Sequence, residues 1–161
     1  MRQFTLTILL AAAMLCAIPL APICAVSPHT PLYTHFIYMF AHANLLHWLV
    51  NSWAMLFMHR LFTPMRLTAA YLTAVAISFV TWHTTPTLGF SVILFFFIGY
   101  ILYPCWRRKN NTILAQTALF IGIGFLLPSM AASYHLLALV AGIIYYQAEH
   151  IILDISSFNT P

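Results

Sequence analysis

Polar side chains capable of chemistry occur at three places in an otherwise apolar sequence. His47 and Asn51 are four residues apart, which puts both on one face of a helix. Ser91 lies in a second apolar stretch and His135 in a third. Hydrolases use serine and histidine for nucleophilic attack and proton transfer, whereas isolated polar residues in membrane helices often only hold helices together. Residue type alone leaves both interpretations open.

The composition indicates a membrane protein. Of the 161 residues, 63% are hydrophobic and only 5% are charged, whereas charged residues make up about 25% of a soluble domain. Long apolar runs between short basic or proline-containing breaks are typical of transmembrane helices. The six basic residues are scattered between these runs, which argues against a nucleic-acid surface. In such a chain, a polar side chain inside the bilayer is a functional candidate.

The apolar runs predict six transmembrane helices that form a single domain over residues 1–161. Their expected bounds are 4–25, 38–58, 65–83, 89–104, 112–128 and 132–153. If the N-terminus is cytoplasmic, every basic residue falls on the cytoplasmic side, at Arg2, Arg60, Arg66, Arg107, Arg108 and Lys109. Because positively charged loops stay in the cytoplasm, the sequence predicts an all-α membrane protein with both termini cytoplasmic.

Helix geometry places the polar candidates in one layer of the bilayer. At 1.5 Å per residue, Ser91 and His135 each lie about 8 Å below the outer surface, and His47 lies at a similar level in its own helix. The fourth span is too short to cross the bilayer as a helix, and residues 84–88 before it predict irregular backbone. Such backbone must be buried in protein or line a water-filled cavity, and a hydrolase would need that cavity.

Three motifs carry a resemblance to a known family. The stretch from Phe40 to Asn51 resembles the F-x-H-A-x-x-L-H-x-x-x-N pattern in the second helix of rhomboid proteases. Gly89-Phe90-Ser91, with Gly99 eight residues after the serine, is similar to their G-x-S motif. His135, with Gly142 seven residues on, is similar to the histidine motif of their sixth helix. The chain therefore resembles a short, bacterial-type rhomboid intramembrane serine protease.

The resemblance implies a rhomboid-like six-helix bundle and a role for each matching residue. Ser91 would be the nucleophile and His135 its general base, while His47, Asn51 and the Ser91 backbone N–H would stabilise the oxyanion. Supporting structural roles fall to His42, Gly89, Gly99 and Gly142. The only acidic residues, Glu149 and Asp154, lie near the expected cytoplasmic end, so the resemblance implies a Ser–His dyad without a carboxylate.

The implied function is that of an intramembrane serine endopeptidase. Its substrates would be single-pass proteins, cleaved in their transmembrane segments near the outer face, and its location the lipid bilayer of a bacterial inner membrane. No metal, cofactor or nucleic acid is expected, and the oligomeric state stays open. Other membrane proteases are excluded because the sequence has neither an H-E-x-x-H zinc motif nor a pair of intramembrane carboxylates.

Departures from the family pattern favour an alternative. Val92 follows the serine where the family often has glycine, Ala138 stands for the first glycine of the usual pair in the sixth helix, and the first loop is reduced to residues 26–37. The alternative is a catalytically inactive rhomboid-like protein that binds or escorts membrane clients. Retention of both Ser91 and His135 favours the enzyme. A small transporter is less favoured because no intramembrane acidic residue is present.

Overall fold

A computed structural model describes residues 1–81, 86–126 and 131–158, and these residues form helices and no β-strand. The α-helices in these ranges are α1 Arg2–Cys16, α2 Ala21–Cys24, α3 Thr34–Ile37, α4 Leu45–Met58, α5 Pro64–Val80, α6 Ser91–Arg107, α7 Asn111–Leu126 and α8 Ala132–Phe158. The all-α prediction is therefore confirmed. The expected helix ends at residues 83 and 128 lie outside the described residues.

The first predicted helix is bent. α1 ends at Cys16, and a 3-10 turn at Ile18–Leu20 followed by α2 continues the chain at an angle of 50°. Pro19 and Pro22 explain the bend, because a proline ring has no N–H and clashes with the preceding helical turn. The bent segment is held against α4 by Trp48, whose indole N–H donates a 2.8 Å hydrogen bond to the carbonyl oxygen of Ala11.

The second predicted helix begins later than residue 38. Tyr38–Phe40 form a 3-10 turn, residues 41–44 are not helical, and α4 begins at Leu45. Asn44 sets this start, because it has extended backbone and its side chain accepts a 2.8 Å hydrogen bond from the N–H of His47. His42 consequently lies before α4 and not on it, whereas His47 and Asn51 share the first turns of the helix.

The contact between α6 and α8 brings two backbones together. A Cβ atom added to Gly99 would overlap the backbone carbonyl of Leu139, and one added to Gly142 would overlap that of Phe96. Small residues allow this approach, and Ala138 is fully buried between them. The close approach fixes the relative position of the two helices that carry Ser91 and His135.

Helix length supports fewer membrane crossings than the charge pattern predicts. Among the described residues, Ala132–Leu153 of α8 is long and apolar enough to cross a bilayer, and the bent segment from Arg2 to Cys24 would be a second crossing. Pro64–Val80 and Ser91–Arg107 are apolar but have only 17 residues each, against about 20 for a full crossing. The six-span arrangement therefore stays a prediction.

Candidate active site

Ser91 and His135 lie in hydrogen-bond contact at the N-terminal ends of α6 and α8. The Ser91 hydroxyl oxygen is 2.9 Å from Nε2 of His135. Ser91 is the first residue of α6, so its backbone N–H is among those that an α-helix does not bond internally. His135 is 7% exposed. A nucleophile, a base and a helix N-terminus are thus combined at one point.

A phenylalanine one turn after Ser91 holds the His135 ring. The Phe95 ring stacks on the imidazole with centroids 4.3 Å apart and an angle of 11° between the planes. Phe95 was not among the site residues predicted from the sequence. Its position four residues after the serine was the available signal, because such residues lie on the same face of a helix.

Gly89 brings the segment before α6 against His47. Its φ of +118° is strained for any residue with a side chain, and its N–H donates a 3.0 Å hydrogen bond to the carbonyl oxygen of Tyr38. A Cβ atom at Gly89 would lie 2.6 Å from Cε1 and 2.8 Å from Nε2 of His47. Glycine is therefore required here by both the backbone conformation and the adjacent imidazole.

The irregular backbone predicted before α6 is present in its described part. Residues 86–88 are not helical, and Thr87 pairs with Val26 through two 2.9 Å backbone hydrogen bonds. Thr84 and Thr85 lie outside the described residues. Val26 and Thr87 are both buried, and the pairing satisfies backbone groups that would be costly to leave unpaired there.

Asn51 presents its side chain to the same site from α4. It is 3% exposed, and its side-chain nitrogen donates a 2.8 Å hydrogen bond to the carbonyl oxygen of His47. An amide nitrogen carries two hydrogens, so a second donor is left for a ligand. His47 and Asn51 both line the cavity that also contains Ser91 and His135.

This cavity has a volume of about 460 Å³ and lies between α4 and α6. Such a volume is typical of ligand pockets, which are mostly apolar with a few well-placed polar groups. The structure thus brings together all four residues that the sequence selected for chemistry.

His42 lies beside the cavity without lining it. The side chain is fully buried, and its ring packs edge-on against that of His47 with centroids 5.0 Å apart. Neither ring nitrogen makes a hydrogen bond, although the Phe40 carbonyl is close by. This packing fits the structural role expected for His42.

An ion pair lies away from the site, toward the other ends of α6 and α8. The Glu149 carboxylate pairs with Arg66, with an N–O distance of 3.0 Å, and accepts a hydrogen bond from the hydroxyl of Tyr100. Within the described ranges, no group of three or more metal-ligating side chains occurs.

The chain matches no protein-family model, and no curated protein shows significant similarity to it. The arrangement itself offers nucleophilic attack by a serine hydroxyl on a carbonyl carbon.

Proposed function

We propose that the protein is a serine endopeptidase that cleaves peptide bonds within the membrane. The observation that carries the proposal is the 2.9 Å contact between Ser91 and His135 in the wall of a 460 Å³ cavity. A pair that only joined two helices would not need amide and imidazole donors in the same cavity as its hydroxyl.

The reaction follows from the positions of these groups. His135 removes the hydroxyl proton as the Ser91 oxygen attacks the carbonyl carbon, and the proton then passes to the leaving amine. The oxyanion is stabilised by the Ser91 backbone N–H at the positive end of α6, together with His47 and Asn51. Water then releases the acyl group by the same steps, with His135 again acting as base.

The membrane setting is part of the proposal. Six spans with both termini cytoplasmic place all six basic residues on one side, in a rhomboid-like bundle of a bacterial inner membrane. The substrates would be transmembrane segments of single-pass proteins, because the site then lies below the outer membrane surface.

The test is labelling of the purified protein by a serine-directed fluorophosphonate, with the modified residue mapped by mass spectrometry. Ser91 should be labelled in the parent, and Ser91→Ala and His135→Ala should each abolish labelling and cleavage of a model transmembrane substrate. The double variant should lose no more activity than either single one, because residues that act as a unit are not additive.

A second serine–histidine pair provides a matched control. His35 Nδ1 lies 2.9 Å from the Ser78 hydroxyl, but that hydroxyl donates a 2.6 Å hydrogen bond to the Val75 carbonyl. The pair lines a separate, smaller cavity of about 160 Å³ that has no Asn or Gln side chain in its described lining. Ser78→Ala and His35→Ala should therefore keep the labelling of Ser91. Robust labelling in His135→Ala, or none in the folded parent, would contradict the proposal. The latter result would favour a protein that binds membrane clients without cleaving them.

A further inference from the structure

The cavity continues far beyond the polar site as a slot between two helices. On α4, Ala54 and Met58 follow His47 at seven and eleven residues, and on α6, Ile98 follows Ser91 at seven. Each set repeats at helical spacing and so lies on one helix face. These spacings give lengths of about 16 Å along α4 and about 10 Å along α6. The acyl slot, as we define it, is lined by Val50, Trp53, Ala54, Met58, Leu94, Phe95 and Ile98.

The chemistry of the acyl slot suits a hydrocarbon chain. None of its lining side chains carries a hydroxyl, amide or charged group, and the indole N–H of Trp53 is the only strong donor among them. A peptide backbone would therefore leave most of its polar groups unpaired there. The whole cavity is roughly three times as large as the ~150 Å³ apolar cavity that holds benzene. Val50 and Trp53 are exposed at its edge, so a chain can enter from the side.

The direction of the slot identifies the part of a substrate that it holds. The leaving group must lie at His135, because that imidazole delivers the proton to it. The slot begins at Phe95, beside the polar site, and extends along α4 and α6 to Met58 and Ile98. Within the described residues, α8 contributes only His135 to the cavity. A chain in the slot therefore runs away from His135 and must be attached to the carbonyl carbon.

We propose that the protein has a second activity, the hydrolysis of medium-chain fatty acyl esters whose acyl chain occupies the slot. The activity rests on the proposed function of Ser91 and His135. The Ser91 oxygen forms a bond to the ester carbonyl carbon, the bond to the alcohol oxygen breaks, and the alcohol leaves with the proton from His135. Water then cleaves the acyl–serine ester, which releases the fatty acid and restores the hydroxyl.

The test uses the full-length protein in detergent with 4-nitrophenyl acetate, butyrate, hexanoate and octanoate. Each methylene group buried in the slot should raise kcat/KM by about fourfold until the slot is filled. Ala54→Phe fills the slot, so the octanoate-to-acetate ratio of kcat/KM should fall by at least about tenfold, the effect of roughly two methylene groups. Leu49→Phe is the matched control, because it adds the same ring to an exposed position of α4 outside the cavity, and it should leave the ratio unchanged.

The outcomes separate this inference from the proposed function. Fluorophosphonate labelling of Ser91 with a flat chain-length profile, or with no ester hydrolysis, would overturn the acyl slot and leave the peptidase standing. Absence of labelling would overturn both. If Ala54→Phe does not fold, Ile98→Phe narrows the slot from α6 and should lower the same ratio. An unchanged ratio in a folded variant would contradict the proposal.

Discussion

At the residue scale, the orientation of His135 depends on a stacked ring in addition to its bond to Ser91. Phe95 covers one face of the imidazole at 4.3 Å. Without that ring, Nε2 can turn away from the hydroxyl, and small displacements of reacting groups cost up to about 100-fold in rate. Phe95→Ala should therefore lower kcat by roughly 10- to 100-fold with a smaller effect on KM, measured on a model transmembrane substrate.

Phe79 offers a control for this prediction, because it stacks on His35 at 4.2 Å in the second serine–histidine pair. Phe79→Ala should leave kcat unchanged, and Phe95→Tyr should restore most of the activity. Loss of thermal stability in Phe95→Ala with an unchanged kcat would show that the stacked ring is only part of the core.

Asn51 is a second residue whose proposed contribution to the reaction can be measured separately from that of the Ser91–His135 pair. One hydrogen of its amide is bonded to the His47 carbonyl, and the other is free for the oxyanion. Asn51→Ala should lower kcat by roughly 10- to 1000-fold, since such a donor acts mainly in the transition state. Unchanged cleavage in both Asn51→Ala and His47→Ala would remove the oxyanion assignment and leave the Ser–His pair intact.

At the scale of the elements, an ion pair joins α5, α6 and α8 at the ends that lie away from Ser91. The Arg66 guanidinium contacts both carboxylate oxygens of Glu149 and lies over the Tyr100 ring at 4.6 Å from its centroid. Both charged side chains are largely buried, at 22% and 12% exposed. The cluster supports the α6–α8 contact made by Gly99 and Gly142, which sets the position of Ser91 relative to His135.

Removal of one charge of the Arg66–Glu149 ion pair should destabilise the protein more than removal of both charges. Arg66→Ala leaves the Glu149 carboxylate largely buried without its counter-charge, with only the hydrogen bond from Tyr100 remaining. Breaking a buried pair in this way typically costs about 3 kcal/mol or more. The double variant Arg66→Ala, Glu149→Gln should unfold at a higher temperature than Arg66→Ala alone, measured by thermal denaturation in detergent. Arg60→Ala is the control, since Arg60 is exposed. Equal melting temperatures for the parent and Arg66→Ala would contradict this account.

At the scale of the whole molecule, the prediction to be tested is the orientation of the chain in the membrane. Six spans put residues 26–37 outside and residues 107–111 inside. In a variant without Cys16, Cys24 and Cys105, a cysteine at His29 should react with an impermeant maleimide on intact spheroplasts. A cysteine at Asn110 should react only after detergent is added. Equal labelling of both sites before detergent would contradict the six-span arrangement.

Local chemistry determined what the sequence could predict. The long apolar runs and the scarcity of charge predict helices, and breaks such as Pro64 predict where they end, because these effects act within a few residues of each other. The bend at Pro19 and Pro22 was missed, since the first helix was predicted to continue through both. The polar candidates followed from the cost of polar groups in hydrocarbon. The start of α4 was missed because the Asn44 cap decides it through one side-chain bond.

Only the tertiary structure decided which candidates meet. Ser91 and His135 are 44 residues apart in the sequence, and His35 and Ser78 are 43 apart. The sequence does not show that the serine oxygen lies 2.9 Å from a histidine nitrogen in both pairs. It also does not show that the first pair faces the 460 Å³ cavity, whereas the second lines a smaller one of about 160 Å³. The ring on His135 and the slot below Ser91 likewise depend on how closely α4, α6 and α8 approach. That distance is set by the volumes of side chains from distant parts of the chain packed together, and no local pattern encodes it.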